Sequence, residues 1–543
     1  MTTDGTTVLA PPALPSDLAA CHALIQTQRE QLDNAIRKLT QMEHQLQQLL
    51  RRLYGRSSER VDPKQMALFA EMLKALEAQS PPTEEPPPAA PPAPTDRKGH
   101  GRRRIPADLP RERRIHDLPE NEKPCPCCGT MRVLIGQEVS EQLDIEPAKL
   151  KVIEHVRLKY ICKECEKKAA EGGPQITTAE KPLAPIEKGL AAPGLLAYLI
   201  VSRFCDHLPY HRLERILDRA GIRLARSTQC DLAAQSAQAM APLVDWMIRE
   251  VRASRVIHTD DTPVDVLDRH LSQTRKGRFW VYVGDEAHPY VVFDYTPNRS
   301  RDGPMTFLQD WGKEEKRFLQ ADAFGGYDGI YVGEAGGTVV EVACWAHCRR
   351  YFFEAGISDQ KNSAQALAHI RLLYDVEHQA WEQFKTQPPE GAAQPRRPLS
   401  AIRLELRQTL AVPRLEQFRK WLESLQTIGG GPVLPKSPMG QAITYALNQW
   451  RALTVYTTDG DLAIDNNVSE NALRRIAVGR KNWLFCGSDN GGKTAAILFS
   501  LIATCQRHRI DPFAYLRDVL TRIAAHPHHR LAELLPDRWK PLP

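Results

Sequence analysis

The residues best suited to chemistry are three widely separated carboxylates, Asp260, Asp322 and Glu470, and two cysteine pairs, Cys125/Cys128 and Cys162/Cys165. The two sets ask for different metals. Carboxylate oxygens are hard ligands that suit Mg2+ or Mn2+ rather than zinc. Two such ions about 4 Å apart activate an attacking oxygen and stabilise a leaving one. Four thiolates suit tetrahedral zinc, and a closed shell of four leaves no position open for a substrate. The Cys125-Pro-Cys127-Cys128-Gly129 and Cys162-Lys-Glu-Cys165 knuckles therefore predict a structural Zn2+ in a four-cysteine ribbon at residues 105–175. Its metal should contribute to folding that small domain. Cys127 is left over, because pairing it breaks the two-residue spacing.

Each carboxylate needs an element to hold it. Val256 to Asp260 reads as a short strand ending in carboxylates. Gly277 to Gly284 and Pro289 to Tyr295 read as a second and a third strand. Asp302 to Trp311 reads as a helix, and Arg317 to Ala321 as a fourth strand that ends on Asp322 before the Gly325-Gly326 break. Val339 to Cys344 gives a fifth strand and Trp345 to Ala355 a helix. This is the order of a ribonuclease H-like core: an antiparallel meander extended by parallel strands through crossover helices. In that topology the first and fourth strands are neighbours, so Asp260 and Asp322 face one another. Glu470 lies at the start of a helix within Asp465 to Arg475, with Asn or Ser as its cap. Arg474, one turn on, shares its face, so the pair can hold metal and phosphate together.

The core is predicted in two parts, 250–356 and 456–525, separated by a helical insertion at 357–455 and followed by a tail at 526–543. The insertion is broken near Pro388–Pro398 and at Gly429-Gly430-Gly431. Thr494 to Arg507 is apolar at helical spacing and is expected to pack against the sheet. Upstream, Leu18, Ile25, Leu32, Leu39, Leu46 and Leu53 recur every seventh residue, the signature of a coiled coil at 16–60 through which copies would associate. A proline- and alanine-rich linker at 78–104 ends in Arg102, Arg103 and Arg104, a basic arm able to lie on phosphates. Residues 185–245 read as helical. A helix from His211 to Ala220, a turn at Gly221 and a second helix capped by Ser227-Thr228 are compatible with a helix-turn-helix reader of DNA, with Arg223, Arg226 and Gln229 near the groove.

Composition sets the limits. A chain of 543 residues suggests three or four domains, and 42% hydrophobic content is enough for sizeable cores. No apolar run reaches the ~18 residues of a membrane span. The beginning of the sequence lacks a basic-then-apolar export segment, so a cytoplasmic location is expected. Most of the twelve cysteines are scattered singly and read as reduced. A net charge of +6 permits a nucleic-acid partner without arguing for one.

Taken together, the motifs resemble a transposase of the insertion sequence 66 family over nearly the whole chain. They are Leu53-Tyr54-Gly55-Arg56-Ser57-Ser58-Glu59-Arg60, the Cys-Pro-Cys-Cys-Gly knuckle, Asp260-Asp261-Thr262-Pro263-Val264 and Leu319-Gln320-Ala321-Asp322-Ala323-Phe324. Trp345-Ala346-His347-Cys348-Arg349-Arg350 comes next, then Asp465 to Arg475, and finally Arg480 to Phe485 with Gly487-Ser488. The resemblance implies a DDE catalytic domain interrupted by a helical insertion, with Asp260, Asp322 and Glu470 holding two Mg2+ or Mn2+ ions. The family usually has Glu where this chain has Asp261. Asp260 is preferred as the first ligand because it closes its strand, with Asp261 as the alternative; Asp328, Asp465 and His347 are candidates for supporting roles. The implied reaction is hydrolysis at an element's end to release a 3′-hydroxyl, which then attacks target DNA without a covalent protein–DNA intermediate. Arg474, Arg475, Arg480 and Lys481 would pair with phosphates, while Trp483 is expected in the core rather than against a base. The implied partners are double-stranded DNA (terminal inverted repeats and target), further copies of the chain and accessory proteins of the same element, in the bacterial cytoplasm at the nucleoid. The rival readings are a non-catalytic DNA-binding regulator and a nuclease of the same fold that cuts without joining.

Overall fold

The computed structural model describes residues 189–542 apart from 269, 323, 332–337, 389–395 and 427–431. Before them it describes residues 17, 22–23, 25–32, 70–76, 150–156, 158–161, 176–178 and 183–187. Cys125, Cys128, Cys162, Cys165, Arg102, Arg103 and Arg104 lie outside the described residues, as do the proline-rich linker and most of the coiled-coil segment. The chain forms two compact units, residues 1–80 with 156–543, and residues 81–155. Of the second, only 150–155 are described, without regular structure. All the described strands and helices belong to the first unit. Residues 25–32 are helical, and Ile25 and Leu32 of the heptad stripe are exposed.

A two-stranded antiparallel ladder, β1 (Lys159–Ile161) with β2 (Ile176–Thr178), precedes three helices. These are α1 (Pro193–Phe204), α2 (Tyr210–Arg219) and α3 (Arg226–Ala253). Gly221 ends the α2 turn with φ +84°, a conformation open to glycine at little cost. The structure corrects two expectations for this region. No side chain caps α3, which begins at Arg226 rather than behind Ser227-Thr228, and it runs for 28 residues into the sheet. Leu243, Met247 and Val251 fix it there by burial. Gln229 is fully buried, its Nε2 donating to the Leu224 carbonyl at 2.9 Å, so it does not reach a groove. Arg223 and Arg226 are exposed, and Arg226 pairs with Glu214 at 3.3 Å.

The central sheet has six strands. β3 (Val256–Val266), β4 (Arg275–Val283) and β5 (Val291–Thr296) form an antiparallel meander. β6 (Arg317–Ala321) and β7 (Val339–Ala343) extend it in parallel, giving the order β5-β4-β3-β6-β7. Short helices α4 (Asp302–Phe307) and α5 (Asp328–Tyr331) fall in the connections, and α6 (Trp345–Ala355) comes after β7. The aromatic and β-branched run Phe279–Val283 buries the second half of β4 between β3 and β5. On β3, β6 reaches only Val256–His258, its first residues, whereas β8 (Phe485–Cys486) pairs with Asp265–Val266 at its far end. Between the two, one edge of β3 from Thr259 to Val264 has no strand neighbour among the described residues. This corrects the reading of Asp260 as a strand-closing residue. Nine pairs with β4 carry β3 on to Val266, and only its pairing with β6 ends before Asp260.

β5 is the edge of the sheet, and α13 (Asp489–Arg507) covers it as expected. Ser500 and Thr504 hydroxyls accept the Phe293 and Val291 amides at 2.8 and 3.1 Å, which occupies the donors a bare edge would present. α14 (Pro512–Arg522) packs beside α1 in the same core.

A second core joins β7 and α6 to a helical block: α7 (Gln360–Lys385), α8 (Leu399–Leu406), α9 (Val412–Leu425), α10 (Pro438–Asn448) and α11 (Trp450–Thr454). Asp359 caps α7 by accepting the Asn362 amide. A π turn at Arg407–Ala411 separates α8 from α9. Its first residue, Arg407, is wholly buried. The guanidinium makes a bidentate pair with Glu377 of α7 at 2.7 and 2.8 Å and donates to the carbonyls of Tyr456, Asp459 and Leu462. Arg407 thereby ties the chain leaving the block to the first helix of the block.

Candidate active site

The unpaired edge of β3 is where the expected carboxylates converge. Asp260 lies on β3 just past the last residue paired to β6, and Asp322 directly follows Ala321, the last residue of β6. Glu470 comes from the first turn of α12 (Asn467–Trp483). Burial, the negative charge of Asp322, and then those of Asp261 and Glu470 push the Asp260 carboxyl up to about 7, against the pull of the Asp261 amide on its Oδ1 at 2.7 Å. The Asp322 carboxyl is also raised, chiefly by burial, with His347 and Arg299 opposing. Asp322 Oδ1 and Glu470 Oε1 are both buried with no hydrogen-bond partner among the described residues, and His347 Nδ1, 3.6 Å from Glu470 Oε1, has none among them either. Crowded carboxylates with unpartnered buried oxygens are a costly arrangement unless a cation joins them.

The chain is held in place on its return from the helical block. Gln320, two residues before Asp322, donates through Nε2 to the carbonyls of Ala463 and Asp465 at 2.7 and 3.0 Å. The Trp345 amide donates to Ile464, and the Asn466 amide to Cys344 Sγ. The buried Asn466 side chain donates to the Thr259 carbonyl at 2.8 Å and lies 3.3 Å from His258 Nδ1. Strands β3 and β6 and the junction between β7 and α6 therefore set where α12 begins. Asp465 serves the same loop: its carboxylate accepts from Tyr374 and from Asn467. Asp328 is exposed on α5.

Of the basic residues expected at the site, Arg474 and Lys481 are exposed on α12. Arg480 instead ties α12 to β3, its Nη1 donating to Thr262 Oγ1 at 2.9 Å and to the Pro263 carbonyl at 2.6 Å. The expectation for Arg475 is corrected. It turns toward α13, bonding Gln506 at 2.6 Å and the Ala472 carbonyl, and burial lowers its pKa, so it is not laid out for phosphate. Trp483 is buried, with the Arg203 guanidinium 5.2 Å from its ring. Sequence reasoning missed Arg278 and Arg299, which bind Asp261, as well as His258 and Asn466. Nothing in periodicity or spacing marks these four.

The donor set fits a hard divalent ion. Asp260, Asp322 and Glu470 offer carboxylate oxygens, two of them buried and unused. Cys344, His347 and Glu470 also bring ligand atoms within 4.8 Å of one another. However, the Cys344 thiol is held neutral, its pKa pushed up to about 12 by burial, and its sulfur already accepts the Asn466 amide.

The class of protein follows from comparison with known families. Residues 188–494 match the Transposase IS66 family, and residues 500–536 its C-terminal element. Residues 122–166 match the zinc-finger binding domain of transposase IS66, and residues 41–114 a segment described as Transposase C of IS166 homeodomain. The chain belongs to the IS66 transposase family. Among its relatives are the uncharacterized proteins y4hP and y4qI of Sinorhizobium fredii (strain NBRC 101917 / NGR234). The first is 32% identical over 82% of this chain and 78% of its own length, the second 31% identical over 79% and 76%. No helix among the described residues is long and apolar enough to cross a membrane.

Proposed function

We propose that this chain is a DDE transposase that cuts DNA at the ends of an insertion sequence and joins the released 3′-hydroxyl to target DNA. The observation that carries the reading is the convergence of Asp260, Asp322 and Glu470, from two neighbouring parallel strands and a later helix, around unpartnered buried oxygens. The meander-plus-parallel sheet is read as a ribonuclease H-like core, and α7 to α11 as an insertion within it. Mg2+ or Mn2+ held by the three carboxylates would activate the attacking oxygen and stabilise the leaving one. The protein's share is positioning. The Asn466 and Gln320 bonds hold the start of the Glu470 helix against the strands that carry Asp260 and Asp322. Arg474 and Lys481, both exposed on the same helix as Glu470, would meet the DNA backbone. Cys125, Cys128, Cys162 and Cys165 would hold a structural zinc, and the heptad segment would join copies of the chain.

The test is a strand-transfer assay on the element's own ends, with Mg2+ and with chelator. Joined products that vanish in Asp260→Asn, Asp322→Asn and Glu470→Gln support the reading. Cleavage without joining would identify a nuclease instead. If all three variants matched the wild type, the catalytic assignment would be wrong.

A further inference from the structure

Asp261 adjoins the proposed metal ligand Asp260 but has a different set of contacts. Its side chain is only 1% exposed, and both oxygens are in use. Oδ2 accepts from Arg278 Nη1 at 2.7 Å; Oδ1 accepts from Arg299 Nε at 3.1 Å and Nη2 at 2.8 Å. Charge-assisted bonds of this kind are strong and directional. With three of its roughly four acceptor sites taken by two guanidinium groups, this carboxylate has little left to offer an ion.

Arg299 is therefore fixed on one side by Asp261. On another it lies over the Phe324 ring, 3.8 Å from the centroid. Its Nη2 is also 3.8 Å from Asp322 Oδ2. Among the described residues no group accepts from its Nη1, and 39% of the side chain is exposed. A cation pinned beside a carboxylate cluster offsets part of the like-charge repulsion while no metal is bound. Once metal neutralises those carboxylates, the guanidinium still presents a rigid edge of donors toward solvent, a shape that matches a phosphate.

We propose that Arg299 binds a backbone phosphate of the DNA next to the metal carboxylates, and that Asp261 is its positioning residue and not a metal ligand. The inference rests on the reading of Asp260 and Asp322 as metal-binding. It assigns the two adjacent aspartates opposite tasks: Asp260 faces the metal, and Asp261 holds the arginine that faces the substrate.

Two measurements on the full-length protein test it without relying on catalysis. Mn2+ binding is followed by calorimetry in the absence of DNA. Binding of a short random-sequence duplex is followed without divalent ions at several salt concentrations. Arg299→Ala is expected to weaken duplex binding about three- to tenfold and to lower the salt slope by about one, while Mn2+ affinity stays within about threefold. Arg299→Lys keeps the slope and recovers part of the affinity, since the charge remains and the fork is lost. Asp261→Asn matches Arg299→Ala in both measurements, and the double variant adds nothing further. Asp260→Asn does the reverse, losing more than about tenfold in Mn2+ affinity with the slope unchanged. The proposal is overturned if Asp261→Asn loses Mn2+ as Asp260→Asn does, or if Arg299→Ala leaves duplex binding and slope as in the wild type. Arg299 is partly exposed and its variant should fold even if the buried Asp261 variant does not. If Asp260→Asn keeps full Mn2+ affinity, the metal reading fails, and the salt slope of Arg299→Ala still decides the phosphate contact.

Discussion

The side chain of Asn466 donates to the main-chain carbonyl of Thr259 at 2.8 Å. Thr259 is the residue before Asp260, and Asn466 is the residue from which the helix bearing Glu470 starts. One buried amide thus sets the separation between a strand carboxylate and a helix carboxylate that the chain brings together from far apart.

Replacing Asn466 by Ala should therefore injure the site more than the fold. The Thr259 carbonyl would be left buried without its partner, at about 1–3 kcal/mol. Thermal unfolding should show that modest loss. Strand cleavage, measured well below the unfolding temperature, should fall by roughly 100-fold, since misplacement by about 1 Å has such effects. A rate that follows stability alone would show that Asn466 does not position Glu470.

The carboxyl of Asp260, pushed up to about 7 from an ordinary 3.8, makes a second prediction. Between those values the folded, metal-free protein holds a proton that the unfolded chain has released. Its stability therefore falls as pH rises from about 4 to about 7 and levels off above. Asp260→Asn lacks this penalty. It should be more stable than the wild type at pH 8, by on the order of a few kcal/mol, and equal to it at pH 4. His258, pushed down to about 4, acts in the opposite direction but is common to both proteins and cancels in the difference. Calorimetric melting across this range checks the crossover, and added Mg2+ should close the gap at pH 8 by stabilising the wild type alone.

Arg407→Met should be severely destabilising, by about 3–5 kcal/mol, because it leaves the Glu377 carboxylate only its longer pair with Arg403 at 3.4 Å and leaves the Tyr456, Asp459 and Leu462 carbonyls without this donor. Arg407→Lys should recover little, lacking the fork. Gly460→Ala tests the same junction from another side, because a Cβ there would sit 1.8 Å from the Ser400 carbonyl oxygen. Denaturant unfolding measures both, and a wild-type midpoint for either would contradict the packing.

The purified protein should carry about one zinc ion per chain. Elemental analysis should show it lost in Cys128→Ser and Cys165→Ser and retained in Cys127→Ser. Loss in Cys127→Ser with retention in Cys128→Ser would reassign the knuckle.

The strand order and the place of Asp322 were legible because β6 is a compact apolar run with a glycine break behind it. The continuation of β3 was not. Two aspartates and Pro263 read as the end of a strand, and only pairing with β4 carries it on. Adjacent aspartates cannot be ranked from sequence either. Their difference lies in Arg278 and Arg299, which reach Asp261 from a neighbouring strand and a loop. The family resemblance assigned Arg474 and Arg475 the same role. The hydrogen bond that takes Arg475 to Gln506 of α13 separates them. Contacts such as Asn466 to Thr259, 207 residues apart, leave no local trace.

The Arg407 clamp also bears on any effort to make this protein smaller. The helices from α7 to α11 look like cargo that a designer would trim to a short loop. Yet the carbonyls of Tyr456, Asp459 and Leu462 that Arg407 gathers lie only a few residues ahead of the strapped loop that launches α12. Cutting the block away would leave that loop without its upstream anchor. A miniature version would have to keep α7, the π turn and the exit segment as one frame, and could be shortened only at the outer ends of the other helices.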